Sequence, residues 1–230
     1  GSNCGPCLDA DEKLLSVLHE NPGEYNLISY QIGSDPYLTY EGVQRRMYYL
    51  PPECGSYSIP YLHVDGVHEL HPHLAHDEEG YLQEDFDSFQ GPTHLRMEVS
   101  HTLDGQTVDI EGSYEAGGDY PSLDLRLFIA IVEKTTYNNV GSNGQTEFHH
   151  VMKKMLPDQN GEPIEAIALG ELVVFEASYT FNGEYDSETG ISNPLDHATA
   201  HTVEEFEDLE VLVWIQDFET RQIYQSALSD

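Results

Sequence analysis

The stretch Cys4-Gly5-Pro6-Cys7-Leu8-Asp9-Ala10-Asp11-Glu12-Lys13-Leu14-Leu15-Ser16-Val17-Leu18-His19-Glu20 decides how the chain begins to fold. Leu14, Leu15, Val17 and Leu18 give one apolar helix face, and Asp9, Asp11 and Glu12 occupy the first turn, where the helix dipole favours acids. Asn21-Pro22-Gly23 stops the pattern. The spacing predicts a helix over 8–20 with two thiols at its N-terminus. A thiol is a nucleophile only as thiolate, and a helix N-terminus supplies free N–H groups and partial positive charge that stabilise the anion. In a C-x-x-C turn the first sulfur can face outward and attack while the second resolves the mixed disulfide, which assigns Cys4 and Cys7 as the catalytic pair. Half of a zinc site and a purely structural disulfide are the competing readings. A second C-x-x-C is missing and Cys54 stands alone. The carboxylates of Asp9, Asp11 and Glu12 oppose thiolate formation, with only Lys13 nearby on the basic side, so a weaker nucleophile is expected than the motif alone promises.

Outward from the dithiol, residues 25–32 read as a strand and 39–50 as a helix stopped by Pro51-Pro52. Ser58 to Val64 reads as a short strand interrupted near its start by Pro60, Asp65-Gly66 as a hairpin turn, and Val67 to Leu70 as the return strand. An acidic helix over 77–89 follows, with Tyr81, Leu82, Phe86 and Phe89 as its apolar positions. Gln90-Gly91-Pro92 reads as a linker. Beyond it the period becomes two: 94–99 and 107–112 alternate around Asp104-Gly105, and 125–132, 170–181, 209–216 and 220–226 follow as strands. Six to eight strands with little helix predict an immunoglobulin-like β-sandwich. The Gly183 to Ala200 stretch, rich in Gly, Ser, Asn, Asp and Thr, reads as an exposed loop. The expected organisation is an α/β domain over 1–91 and an all-β domain over 92–230.

The N-terminal order of elements, with Cys4-Gly5-Pro6-Cys7 ahead of a helix and Ile59-Pro60 ahead of a hairpin, resembles the thioredoxin-like fold. That resemblance implies a cis proline at Pro60 opposite the dithiol. It also implies that Ile59 and Pro60 bind substrate, the residue before the proline offering backbone hydrogen bonds to an extended chain. One departure stands out. Such folds place a central strand directly before the dithiol, and only Gly1-Ser2-Asn3 precedes Cys4 here. The expectation is a domain whose first strand has been lost or is supplied by a partner.

Composition narrows the partners. The 230 residues include 42 acidic and 9 basic side chains, a formal charge of -33, which repels nucleic-acid phosphates and anionic membranes. No stretch approaches the roughly 18 apolar residues of a membrane span. His63, His68, His71, His73 and His76 lie close to Asp77, Glu78 and Glu79. Imidazole suits zinc, copper and nickel, but the spacing fits no standard site and reads as solvated surface. No metal and no cofactor is assigned. The β-half shows no Ser-His-Asp or paired-acid constellation.

Several segments together resemble the outer-membrane-protein-28 family of Gram-negative surface proteins. They are Asn3-Cys4-Gly5-Pro6-Cys7, Ser58-Ile59-Pro60, Thr146-Glu147-Phe148-His149-His150-Val151-Met152-Lys153-Lys154-Met155-Leu156-Pro157 and Leu209-Glu210-Val211-Leu212-Val213-Trp214-Ile215-Gln216-Asp217. The resemblance implies a thioredoxin-like domain with a β-sandwich behind it, and export to the periplasm, outer membrane or cell surface, often with a lipid anchor upstream. Two functions follow. One is thiol–disulfide exchange, with protein thiols or disulfides as partners. The other is a non-enzymatic, adhesin-like role toward cell-surface partners, in which the Cys pair is a structural disulfide.

The acids are spread along the whole chain, so their mutual repulsion is relieved by salt. Both a salty habitat and an ordinary acidic secreted protein fit this pattern. Melting curves at rising sodium chloride concentration are expected to show an increasing Tm; a flat or falling Tm would remove the self-repulsion argument.

Overall fold

The computed structural model describes residues 1–50, 59–71, 81–89, 93–118, 120 and 124–229. Readings that fall elsewhere, among them Cys54, His73, His76, the Pro51-Pro52 stop, residues 77–80 and the Gln90-Gly91-Pro92 linker, lie outside the described residues. The described chain is mostly strand with few helices, and none of those helices is long and apolar enough to cross a membrane.

Helix α1 (Cys7–Glu20) begins one residue earlier than predicted and buries Ala10, Leu14 and Val17. It ends where the Asn21 N–H and side-chain amide both donate back to the Val17 carbonyl. Helix α2 (Tyr40–Tyr49) is capped by Thr39, whose hydroxyl accepts from the Gly42 N–H at 3.1 Å. Strands β1 (Leu62–Val64) and β2 (His68–Leu70) form the expected hairpin, with Asp65 and Gly66 both at positive φ. A Cβ on Gly66 would lie 2.0 Å from the Arg221 carbonyl oxygen, so only glycine allows the hairpin tip to approach so closely. Helix α3 (Tyr81–Phe89) brings Phe86 against Leu14 and Val17.

Residues 25–32 do not form the predicted strand. Only Ser29 pairs, in an isolated parallel bridge with Val151. Its N–H donates to the His150 carbonyl at 2.8 Å, and its carbonyl accepts from the Met152 N–H at 3.0 Å. The chain touches its neighbour at one residue, so no ladder develops, although the alternation that suggested one is present.

The rest of the chain builds two stacked sheets. Strands β3 (Leu95–Asp104) and β4 (Thr107–Ala116) form the hairpin read around Asp104-Gly105. Strands β5 (Leu125–Thr136), β6 (Phe148–Leu156), β7 (Glu162–Pro163) and β8 (Leu172–Thr180) follow. Then come β9 (Glu184–Tyr185), β10 (Ala200–His201), β11 (Leu209–Asp217) and β12 (Ile223–Leu228). One sheet runs β12-β11-β5-β6, with β7 also paired to β5; the other runs β3-β4-β8. The stretch read as an exposed loop from Gly183 to Ala200 is partly structured. Strand β9 pairs in parallel with β10, and buried Leu195 donates its N–H to the Leu38 carbonyl at 2.9 Å. Strand β6 escaped the sequence reading because its period is broken. Ile131 pairs with Lys154 but Val132 with Met152, which leaves Lys153 as an extra, bulged residue.

Strands β5 and β11 are buried on both faces. Leu127, Ile129, Ile131, Val211 and Val213 point into the core shared with β3 and β4. Phe128, Ala130, Val132, Leu212 and Trp214 point to the other side, where Ile28 and Tyr30 pack. Phe128 and Trp214 are direct cross-strand partners, their rings stacked at 5.0 Å and 5°. Strand β8, by contrast, alternates between exposed and half-buried positions, as an antiparallel strand with one wet face does.

The bulge turns Lys153 into the interior. Its ammonium lies 2.9 Å from the Glu133 carboxylate, donates to the Thr202 carbonyl at 2.7 Å, and sits 3.8 Å from the centre of the Tyr37 ring. Glu133 also accepts the Glu204 and Glu205 N–H groups. Removing one member of a buried pair leaves an uncompensated charge, so Lys153→Ala is expected to cost about 3–5 kcal/mol. Lys134→Ala, which loses only a half-exposed contact to Glu210, is expected to cost about 1 kcal/mol or less. Urea unfolding of the two variants tests the contrast, and equal losses would show that the Lys153 pair adds nothing specific.

Candidate functional site

Pro6 occupies the N-cap of α1 with φ -74° and ψ -5°, and Cys7 is the first helical residue. The Cys7 N–H donates to the Cys4 carbonyl at 3.2 Å, which closes the turn and brings the sulfurs together. Cys4 and Cys7 form a disulfide with their Cα atoms 5.3 Å apart. Both are buried, at 6% and 3% exposure, so Cys4 is not the outward-facing residue that the motif leads one to expect.

The turn is tied to the segment between β5 and β6. Asn143 donates from its side chain to the Cys4 carbonyl at 3.1 Å and from its N–H to the Ser2 carbonyl at 3.2 Å. The Ser142 N–H donates to the Asn3 side-chain oxygen at 2.9 Å. Gly141 lets the two segments meet, since a Cβ there would lie 2.4 Å from the Ser2 carbonyl oxygen. The Ser2 N–H donates to Asp35 at 2.8 Å.

Charge near the pair follows the sequence reading in part. Lys13 is engaged by Asp9 at 3.0 Å. Asp11 is pushed up from the ordinary carboxylate range by burial, against the opposing hydrogen bond that Gln145 donates at 2.8 Å.

The Ile59–Pro60 peptide is cis, as the resemblance to thioredoxin-like folds implies. Cys7, Ile59 and Pro60 line one cavity of about 180 Å3, together with Ala10, Asp11 and Tyr61; Cys4 is not among its lining residues. The structure thus brings three of the four expected site residues to one space. A second cavity of about 410 Å3 adjoins it, walled by α1, residues 24–28, β1 and the outer face of β11.

Of the histidine cluster, His63 lines both cavities, stacked on Tyr49 at 4.4 Å with Tyr61 edge-on at 4.7 Å. Burial lowers its pKa to about 4, outweighing the attraction of Glu69. His68 pairs with Val64 in the hairpin and His71 contacts the Tyr61 ring. Among the described residues no three His, Cys, Asp or Glu side chains converge as metal ligands would. His149 and His150 serve the β6 region, His149 meeting the Thr135 hydroxyl at 3.3 Å and His150 lying 3.5 Å from Glu210.

Two buried polar groups behind the cavities were not anticipated. Arg45 is enclosed by Tyr48, Tyr49 and Phe128, with its guanidinium 4.6 to 4.9 Å from their ring centres. It donates to Gln216 and to the Tyr49 hydroxyl, each at 2.7 Å. Glu41 of α2 meets Lys154 of β6 and His197. Burial alone would raise the Glu41 pKa, but the hydrogen bonds and charges of His197 and Lys154 hold it at about 2. The sequence signal for these contacts was slight: Gln216 and Asp217 end an apolar strand, and two lysines interrupt another.

His63 supplies a pH test. Its folded pKa lies below the unfolded value near 6.5, so the unfolded chain takes up the proton first. The contribution of His63 to stability is complete above pH 6.5 and is lost as pH falls toward about 4. An NMR titration of the native chain is expected to place the His63 ring midpoint near 4; a midpoint near 6.5 would show that the imidazole is solvated.

No protein-family model matches the chain, and no curated protein sequence matches it. Among solved structures it is similar to HBP35 of Porphyromonas gingivalis, at 13% identity over 99% of this chain and 71% of that one, with a TM-score of 0.69. A mutant β-glucosidase from Listeria innocua covers 60% of this chain and 16% of its own, at 13% identity and a TM-score of 0.30. β-Glucosidase 3B from Thermotoga neapolitana covers 59% and 15%, at 11% identity and a TM-score of 0.29. The two glucosidase likenesses carry no argument; the likeness to HBP35 is one of fold.

Proposed function

We propose that this chain is an exported, surface-associated protein of a Gram-negative bacterium. In this reading residues 1–91 form a thioredoxin-like unit and residues 92–230 an immunoglobulin-like β-sandwich, as in the outer-membrane-protein-28 family. The Cys4–Cys7 pair exchanges with thiols or disulfides of extracytoplasmic proteins. The observation that carries the proposal is the disulfide at the start of α1, with Cys7 in the same cavity as the cis Ile59–Pro60 peptide. In the reduced state Cys4, as thiolate, attacks a substrate disulfide. One substrate sulfur leaves as a thiol and a mixed disulfide forms. Cys7 then attacks Cys4, releases the second substrate thiol, and restores the Cys4–Cys7 disulfide. Ile59 and Pro60 hold the substrate chain beside the reacting sulfurs.

The second reading keeps the pair as a structural disulfide in a non-enzymatic surface protein. The 6% and 3% exposure of the two cysteines favours it, as does the set of hydrogen bonds that tie their turn to residues 141–143. Acidic neighbours favour it too, because they oppose a thiolate.

A mixed-disulfide trap separates the readings. In a Cys7→Ser variant, exchange predicts extracytoplasmic proteins covalently captured on Cys4 and released by dithiothreitol. The structural reading predicts no capture, together with a native disulfide that millimolar glutathione leaves intact.

A further inference from the structure

Each of the four lysines of the chain meets a carboxylate, but the surroundings differ. Lys13 and Lys134 meet theirs at the surface. Lys154 reaches Glu41, whose carboxyl stays ionised because burial is outweighed by the hydrogen bonds and charges of His197 and Lys154. Lys153 is enclosed together with its partner. The Lys153 and Glu133 side chains are 1% and 0% exposed, with Nζ 2.9 Å from Oε2. The bulge in β6 is responsible, since the extra residue turns its amine toward the neighbouring strand. The other carboxylate oxygen of Glu133, Oε1, accepts the Glu204 N–H at 2.9 Å and the Glu205 N–H at 2.7 Å. The Glu204 N–H also reaches Oε2, at 3.2 Å. Nζ of Lys153 donates to the Thr202 carbonyl at 2.7 Å.

Such an arrangement suits acyl transfer. A nitrogen touches one oxygen of a carboxyl group, and the other oxygen lies against two backbone N–H groups, where negative charge develops as the carbon becomes tetrahedral. Burial pushes the Glu133 carboxyl up and the Lys153 ammonium down, toward the acid and the free amine that condensation needs. In water an ammonium and a carboxylate persist as ions. Held in contact with water excluded, the pair reacts at an effective concentration of about 10⁵ M or more, and the product removes two buried charges. The polar groups that remain are already served. The amide N–H has the Thr202 carbonyl, and the amide C=O has the Glu204 and Glu205 N–H groups.

We propose that Lys153 and Glu133 condense into an intramolecular amide that joins β6 covalently to β5. One Nζ proton passes to Oε2, and the freed amine attacks Cδ. The Nζ–Cδ bond forms and Oε1 carries the charge of the tetrahedral intermediate. A second Nζ proton moves to Oε2, and the Cδ–Oε2 bond breaks to release water. One ammonium and one carboxylate thus give one amide and one water, with no oxidant, reductant or co-reactant. The amide closes residues 133–153 into a ring that includes Ser142, Asn143 and Gln145, which hold the Cys4–Cys7 turn and α1. The inference does not rest on the exchange chemistry of Cys4 and Cys7.

The test is the intact mass of the full chain, purified in the folded state, then reduced with dithiothreitol and denatured. A deficit of one water against the mass of the sequence is expected. Trypsin does not cleave after an acylated lysine, so peptides 127–134 and 135–154 are expected as one branched species joined through Glu133 and Lys153. The double variant Lys153→Met with Glu133→Leu, which removes both charges and leaves neither unpaired, is expected to show its full mass. A folded chain that keeps its full mass through days of incubation overturns the proposal. So does a deficit located in any other peptide, such as a succinimide at Asp104-Gly105, or a deficit that the double variant retains.

Discussion

Burial of β5 and β11 on both faces is the constraint from which the arrangement follows. A sheet that turns Ile129, Ile131, Val211 and Val213 one way and Phe128, Ala130, Leu212 and Trp214 the other cannot leave either side in water. The β3-β4-β8 sheet covers the first side. Ile28, Tyr30 and α2 cover the second, so the dithiol-bearing half of the chain forms a third layer on the central sheet. The stacked Phe128–Trp214 pair lies at the middle of that contact, under Arg45.

Cations are scarce here, 9 against 42 acids, and their use is telling. Arg45 and Lys153 are almost fully buried, and Lys154 reaches Glu41 across the boundary between α2 and β6. Each would cost desolvation free energy if unpaired. Lys153 finds Glu133, Lys154 finds Glu41, and Arg45 relies on ring faces, Gln216 and the Tyr49 hydroxyl. Such contacts are directional where apolar packing is not. Those of Arg45 and Glu41 tie α2 to the sheet, and that of Lys153 with Glu133 ties β6 to β5.

The disulfide turn belongs to the same assembly. Cys4 and Ser2 are held by Asn143, and Asp11 by Gln145, all from the segment joining β5 to β6. The position of Cys7 beside Ile59–Pro60 therefore depends on strands far away in sequence. The two cavities lie between residues 24–32, which meet the central sheet at Ser29 and Asn26, and the β1–β2 hairpin, whose Asp65 carbonyl accepts from the Ile223 N–H.

Local sequence determined the elements whose signals are local. Apolar spacing and an acidic first turn marked α1, Thr39 and the proline pair bracketed α2, and turn residues placed the β1–β2 and β3–β4 hairpins. Doubly apolar runs marked β5 and β11 but did not say what covers them, because hydrophobicity has no address. Strand β6 stayed hidden because its bulge breaks the period at Lys153. Residues 25–32 read as a strand because their alternation is real, yet a strand needs an edge to pair with, and only tertiary structure supplies or withholds one. The C-x-x-C spacing marked Cys4 and Cys7 as a pair, and the structure joins them in a disulfide. Its burial and its ties to residues 141–145 were decided by the fold, since each depends on groups more than a hundred residues away.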